Sequence, residues 1–403
     1  MKNTEKAGTF GLGMLWFGAA VSISEILTGA LLAPLGFAKG LLAILIGHAV
    51  GCAILWGAGY IGAKGNLSAI ESTRISFGKY GSYLFSVLNV IQLLGWTAVM
   101  IINGAKAMDA ATPFLHSETV WSLVIGGLIA VWILVGIKNL SKVSTVAVGA
   151  LFLLTLLLGW TVFRGGVSNT VPVDSASMPF GAAVELSVTM PLSWLPLISD
   201  YTRTAEHPQR GTAVSALCYT AGSSIMYVIG LGAALYTGSD DIAAILVSAG
   251  LGMAALLIVL LSTVTTTFLD AWSGGVSLAN LNSKISEKWS ALLICIVGAV
   301  LAVVMDINQY ENFLYFIGSV FAPLFAVLMT DYFLLHITQV RQDQRLNGRN
   351  LAVWAVGFVL YRLLMRIDCP LGTSLPTMIA VALLCLAVHG IVHVFSQQKA
   401  PLK

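Results

Sequence analysis

The chain has 403 residues, of which 57% are hydrophobic and only 10% charged, with a formal net charge of +3. Soluble domains carry about 25% charged residues, so the composition excludes a soluble globular protein and places most of the mass in a bilayer. The basic residues sit in short loops and imply no nucleic-acid partner, and five scattered cysteines (Cys52, Cys218, Cys295, Cys369, Cys385) imply neither a disulfide framework nor a metal cluster.

Crossing a bilayer takes about 20 apolar residues. Runs of that kind recur near 9–33, 39–62, 82–108, 119–137, 144–163, 179–200, 211–236, 251–282, 289–305, 311–336, 350–366 and 375–396. The pattern predicts an all-α integral membrane protein with twelve spans and none of the alternation of a barrel. Asp240–Ala249 reads as a short amphipathic surface helix, since 240–282 is too long for one span. The first run is too long for a signal-peptide core and has no clear cleavage site, so it reads as a permanent helix.

Span 1 carries polar residues at its centre. Between Gly18 and Gly29 lie Ser22, Ser24, Glu25 and Thr28. A carboxylate at mid-membrane depth is costly unless it faces a cavity or a partner, which makes it a functional candidate. The expectation is a helix that breaks at mid-depth and turns Ser24, Glu25 and freed backbone groups toward a ligand. In span 2, His48 reads as a hydrogen-bonded core residue rather than a proton relay.

Span 3 places Asn89, Gln92, Trp96, Met100 and Asn103 on one helical face. Three carboxamides and a tryptophan cannot face lipid cheaply, so this face looks inward. Trp96 offers a flat apolar surface for a planar ring; the competing reading is carboxamides bonding helix to helix. Span 6 holds Pro191 and Pro196 around Trp194, and two prolines so close disrupt a helix. Span 8 carries a polar stripe of Ser262, Thr265, Thr266, Asp270, Ser273 and Ser277. Hydroxyl and carbonyl oxygens suit a small hard cation, although Ser and Thr also bond back to their own helix. Glu185 reads as hydrating the outer end of span 6, and Asp200 as a loop anchor at its other end.

Lys and Arg follow a one-sided distribution. Five of the 21 (Lys39, Lys106, Arg164, Arg362, Arg366) fall on one side and the rest on the other, which predicts both termini in the cytoplasm. Spans 1–5 (residues 1–163) and 6–10 (179–336) are two odd-numbered groups, so they enter the membrane in opposite senses, with spans 11–12 (350–396) outside the pattern. Breaks at matching positions of inverted repeats mark the substrate site of a secondary transporter. No phosphate loop, zinc spacing or nucleophile–base pair argues for an ATP-driven pump or an enzyme, and polar residues gather at mid-depth instead of forming a channel end to end.

Gly95-Trp96 in span 3, the segment from Trp194 to Arg203, the segment from Ser262 to Asn280, and Ala322-Pro323 through Thr330-Asp331-Tyr332 resemble the nucleobase:cation symporter-1 family, near cytosine permease and its hydroxymethylpyrimidine-transporter branch. The resemblance implies a LeuT-like five-plus-five inverted repeat with two extra helices, and alternating access. It also implies a base held between aromatic side chains. Trp96 matches the stacking tryptophan of span 3, and Trp194 is the available aromatic of span 6. The family's sodium site maps to backbone at Gly18, Val21 or Ser22 and to Ser262, Thr265 and Thr266. A base-contacting asparagine is Thr267 here, a glutamine one turn after the tryptophan is Met100, and Glu25 replaces a neutral residue. The expectation is a cytoplasmic-membrane importer, driven by sodium and needing no obligate protein partner. Its substrate would be a pyrimidine, hydroxymethylpyrimidine first, contacted by Ser24, Glu25, Gln92, Trp96, Met100, Trp194, Thr267 and Asp270. The alternative is a proton-coupled permease for cytosine or another nucleobase.

Overall fold

The computed structural model describes residues 6–112, 115–135, 178–238, 252–305 and 310–398, with residues 149, 152–153, 156–157, 159–160 and 163–164. These residues form helices and connecting turns, with no strand among them beyond an isolated bridge between Ala7 and Ala205. Eight helices among the described residues are long and apolar enough to cross a bilayer. Most of predicted span 5 and all of the predicted surface helix at 240–249 lie outside the described residues.

In chain order the helices are α1 (Thr9–Ala20), α2 (Ile23–Leu31), α3 (Gly36–Gly65), α4 (Ala69–Ser72), α5 (Arg74–Ala111) and α6 (Glu118–Val135). They continue as α7 (Phe180–Ser193), α8 (Leu195–Thr202), α9 (Pro208–Thr237), α10 (Gly252–Leu281), α11 (Glu287–Val304), α12 (Tyr310–Met329), α13 (Gly348–Leu364) and α14 (Ser374–Gln398). Span 1 is thus α1 with α2, and span 6 is α7 with α8. Local chemistry explains several ends. Asn66 takes a left-handed conformation (φ 53°) to close α3, and Ser68 with Glu71 forms a capping box that starts α4.

Span 3 begins earlier than its apolar pattern predicts. The polar turn from Arg74 onward is helical, interrupted at Gly78 (φ 73°). That kink frees the amides of Lys79 and Tyr80 to bond the carbonyls of Gln344 and Arg345 at 3.3 and 2.8 Å.

The two predicted interruptions differ in depth. Between α1 and α2, Val21 (φ −81°, ψ 85°) and Ser22 (φ −139°, ψ 158°) leave helical geometry altogether. Between α7 and α8, Trp194 alone intervenes, and its φ −90°, ψ −7° is still right-handed. Pro191 and Pro196 therefore bend span 6 without unwinding it.

Spans 1 and 6 run in opposite senses. The amide of Ala7, just before α1, bonds the carbonyl of Thr204, just after α8, at 2.8 Å, and Glu206 returns a bond to Ala7 at 3.1 Å. Close packing brings α9 against α2: a Cβ on Gly29 would overlap the Tyr227 backbone, and one on Gly230 the Ile26 carbonyl. Only glycine permits that approach.

Glu185 is not the hydrated end residue that its position predicts. It is buried and accepts hydrogen bonds from the hydroxyls of Thr189 (3.1 Å), Tyr361 (2.5 Å) and Ser374 (2.6 Å) and from the amides of Thr373 (2.6 Å) and Ser374 (2.7 Å). It is a carboxylate cap on the start of α14, where the helix dipole favours an anion. Asp200 is the expected anchor, accepting from the Ala69 amide at 2.9 Å.

Candidate functional site

Where the break in span 1 meets the bend in span 6, a cavity opens between α2, α5, α7 and α10. Ser22, Ser24 and Glu25 line it from span 1, Trp96 and Met100 from α5, Met190, Ser193 and Trp194 from span 6, and Thr266 and Asp270 from α10. The cavity volume is about 20 Å³, room for about one water. A ring-sized ligand enters only as the walls part. The lining holds two carboxyl groups and no basic side chain.

Glu25 is positioned by the break itself. It falls in the first turn of α2, where its amide bonds the Ser22 hydroxyl at 3.4 Å. Its carboxyl oxygens take one partner each from α9: Tyr219 donates to Oε1 at 2.7 Å, and Ser223 Oγ lies 2.6 Å from Oε2. Ser24 donates to Met100 Sδ at 3.0 Å. Thr28 donates to the Ser24 carbonyl at 2.7 Å, and its Oγ1 lies 2.9 Å from the Tyr310 hydroxyl.

Each tryptophan of the cavity is braced by aromatic edges. Trp96 packs against Phe313 and Tyr310, with centroids 5.4 and 6.1 Å apart. Trp194 packs against Trp16 and Tyr219 at 5.4 and 5.9 Å. Such edge-to-face packing fixes ring orientation. The indole N–H of Trp96 is buried with no hydrogen-bond partner.

The carboxamides of α5 serve the bend in span 6. Leu197 and Ile198 both turn their amides to the Trp194 carbonyl, at 3.0 and 2.9 Å, which leaves the Ser193 carbonyl without a helical donor. Gln92 supplies one at 2.9 Å, and Asn89 donates to the Pro196 carbonyl at 3.3 Å and to Ser277 Oγ at 2.8 Å. Gln92 therefore lies outside the lining as a helix-to-helix tie, although its Oε1 has no partner. Thr267 is also buried outside the lining, with an unpartnered hydroxyl.

Oxygen donors also lie at the end of α1 and along α10. Ser22 N–H turns to the Ala20 carbonyl at 3.0 Å, so the Gly18 carbonyl loses the partner that an unbroken helix would give it. Ser262 donates to the Val21 carbonyl at 2.6 Å. One turn along α10, the hydroxyl of Thr266 is buried without a partner. This set of carbonyls and hydroxyls at a helix C-terminus fits a small hard cation. Two further expected donors already carry bonds nearby. Thr265 bonds back to Leu261 and Ser262 carbonyls at 2.8 and 3.1 Å, and Ser22 is committed to α2, its hydroxyl to Glu25 and its carbonyl to the Ile26 amide at 3.4 Å.

The structure thus brings Ser24, Glu25, Trp96, Met100, Trp194, Thr266 and Asp270 to one cavity. Sequence reasoning missed Met190 and Ser193, whose side chains carry no signal within an apolar span. It also passed over Tyr219 and Ser223, which lie on span 7 at helical spacing of four, a polar stripe that could have been read.

A helical multi-pass chain with a small closed cavity beside a mid-depth helix break is built as a membrane carrier. Residues 2–369 match the family described as permease for cytosine/purines, uracil, thiamine, allantoin. The chain belongs to this family, the nucleobase:cation symporter-1 transporters. It is 27% identical over 333 residues to the cytosine permease of Escherichia coli (strain K12), covering 81% of this chain and 78% of the relative. It is 23% identical over 360 residues to the purine-cytosine permease fcyB of Emericella nidulans, covering 80% and 70%. Its fold is similar to Mhp1 in a closed conformation with bromovinylhydantoin bound (TM-score 0.82, 19% identity, 96% and 93% covered). It is also similar to a Na+-coupled sialic acid symporter in a substrate-bound outward-open state (TM-score 0.69, 13% identity, 94% and 89% covered). These relatives are permeases and symporters, in keeping with a carrier and not an enzyme.

Proposed function

We propose that the protein is a sodium-driven importer of a pyrimidine across the cytoplasmic membrane, with hydroxymethylpyrimidine, a thiamine precursor, as its substrate. One observation carries this reading: a cavity walled by two tryptophans and two carboxyl groups, with no basic side chain. A flat ring stacks on Trp96, with Trp194 closing the far side. Glu25 accepts from an exocyclic amine, while Ser24, Asp270 and Met100 line the remaining rim and Gln92 and Thr267 support it from behind. A ring edged mainly by carbonyls would set acceptor against acceptor at Glu25 and Asp270, which disfavours it.

Sodium fits the carbonyls of Gly18 and Val21 with the hydroxyls of Ser262 and Thr266, and one structural neighbour is named as Na+-coupled. The ion would tie α1 to α10, so that its binding favours one state of an alternating-access cycle. The proposal includes twelve spans arranged as repeats 1–163 and 179–336 with 350–396 outside them, and both termini in the cytoplasm.

A second reading is cytosine as substrate with proton coupling; the names of the relatives favour this base, and it carries the same amine edge. Thermal stabilisation of the purified protein by pyrimidines and thiamine precursors, in sodium and in choline, decides between them. Hydroxymethylpyrimidine is expected to stabilise most, and only in sodium. Stronger stabilisation by cytosine overturns the substrate, and equal stabilisation in choline overturns the ion.

A further inference from the structure

Behind the cavity, Glu25 continues into a buried chain of polar groups. Ser223 Oγ lies 2.6 Å from Glu25 Oε2 and 2.6 Å from His48 Nε2. His48 Nδ1 lies 2.9 Å from the Ile44 carbonyl. That carbonyl can only accept, so Nδ1 carries a hydrogen. Ser223 has a single O–H to give. If Glu25 were a carboxylate and His48 a neutral ring, both neighbours of Ser223 would be acceptors. One of the two 2.6 Å contacts would then set lone pair against lone pair. Short contacts on both sides require one further proton.

There are two places for it. On Glu25, it donates to Ser223 while Ser223 donates to His48. On His48 Nε2, it donates to Ser223 while Ser223 donates to Glu25. We propose that Glu25, Ser223 and His48 hold one proton between them as a neutral unit, which makes His48 the positioning residue that sets how Glu25 meets a ligand. Exchange between the two forms is balanced. The Glu25 O–H bond breaks as a Ser223 O–H forms, the former Ser223 O–H breaks as His48 Nε2–H forms, and no proton enters or leaves.

The surroundings favour such a unit. Glu25 and His48 are each 1% exposed and Ser223 is fully buried, where an uncompensated charge is costly. The groups that face it from neighbouring elements are few. Tyr219 on α9 donates to Glu25, Tyr227 packs edge-on to His48 with centroids 4.8 Å apart, Tyr310 on α12 reaches Thr28, and Asp270 on α10 lines the same cavity. None brings a competing cation. A ligand amine at Glu25 would favour the ionised carboxyl, since charged acceptors bond more strongly, and His48 would then hold the proton.

The inference builds on the reading of Glu25 as the ligand-facing group, but its test needs no ligand, so a failure of any pyrimidine to bind bears only on that reading. Infrared spectra of the purified protein report protonated carboxyl groups, with Glu25→Gln assigning the band, and nitrogen NMR of labelled histidine reports His48. One proton in total is expected across the pair, unchanged between about pH 6 and 8, the range in which a lone histidine titrates. Ser223→Ala, which cuts the chain and keeps both ends, is expected to make the Glu25 and His48 signals pH-dependent and independent of each other. An ionised Glu25 beside a neutral His48 in the parent overturns the proposal. So does a protonated Glu25 beside an imidazolium, or a pH profile that Ser223→Ala leaves unchanged.

Discussion

The hydroxyl of Ser262 donates to the carbonyl of Val21 at 2.6 Å, a single bond that joins α10 to the residue where span 1 leaves its helix. A cation that replaced this hydrogen bond would be held by both helices at once. Removing the hydroxyl leaves the Val21 carbonyl with one donor fewer. Ser262→Ala and Thr266→Ala are each expected to raise the sodium concentration for half-maximal uptake roughly tenfold, the scale of one strong polar contact. Thr265→Ala removes a hydroxyl that also back-bonds within its own helix, so a smaller rise is expected. Sodium titration of uptake into proteoliposomes checks all three. If Thr265→Ala had the largest effect, the donor set would be misassigned.

Glu25 makes a different prediction because it sits on the substrate side of the break. Glu25→Gln keeps the volume and can still bond Tyr219 and Ser223, so the folded protein should accumulate near parental levels. It replaces one acceptor oxygen with a donor, however, and an exocyclic amine would then meet an amide N–H. Uptake per molecule is expected to fall at least tenfold, measured against immunoblotted protein in the membrane. Parental uptake in this variant would remove Glu25 from the site.

Stacking is tested at Trp96. Each stacked base–aromatic pair is worth about 1–3 kcal/mol, so Trp96→Ala should weaken ligand binding by roughly ten- to a hundredfold, with Trp96→Phe in between. Calorimetric titration of the purified protein gives the comparison. Affinity unchanged in Trp96→Ala would mean that the ring does not rest there, and that the braced packing against Phe313 and Tyr310 serves only helix contact.

Much of the fold could be read from the sequence because the bilayer imposes a length on every span, and the polar centre of span 1 has no cheap explanation except a break. Glu25 and Asp270 were legible for the same reason, since charged groups within a span must face inward, and Trp96 because it shares its helix face with three carboxamides. The bend in span 6 was less legible. Two prolines look like unwinding, yet proline at the start of α8 costs no hydrogen bond, and Gln92 returns a donor to the freed Ser193 carbonyl. Within the threonine run, the hydroxyls of Thr266 and Thr267 are unpartnered while that of Thr265 bonds back, a difference that one-letter patterns do not encode. Partners behind the site, such as Ser223 and His48, come from spans far apart in sequence, 175 positions from one another, and only the packing of helices brings them together.

Glu185 provides a stability test that separates architecture from transport. Its carboxylate accepts five hydrogen bonds, two of them from the first amides of α14 and one from Tyr361 on α13. Spans 11 and 12 are thereby fastened to span 6 by one buried anion. Glu185→Ala leaves those donors without acceptors in a site closed to water, a loss of about 1–3 kcal/mol for each buried group left unsatisfied. Glu185→Gln keeps an acceptor oxygen but turns an N–H toward donors, so an intermediate loss is expected. Both variants should lower the midpoint of thermal unfolding in detergent, alanine more than glutamine. The residue lines no part of the cavity, so the molecules that remain folded should bind ligand with parental affinity. An alanine variant as stable as the parent would show that α14 is held by apolar packing alone. Weakened binding in folded Glu185→Gln would show instead that the anchoring of spans 11 and 12 reaches the cavity through α7.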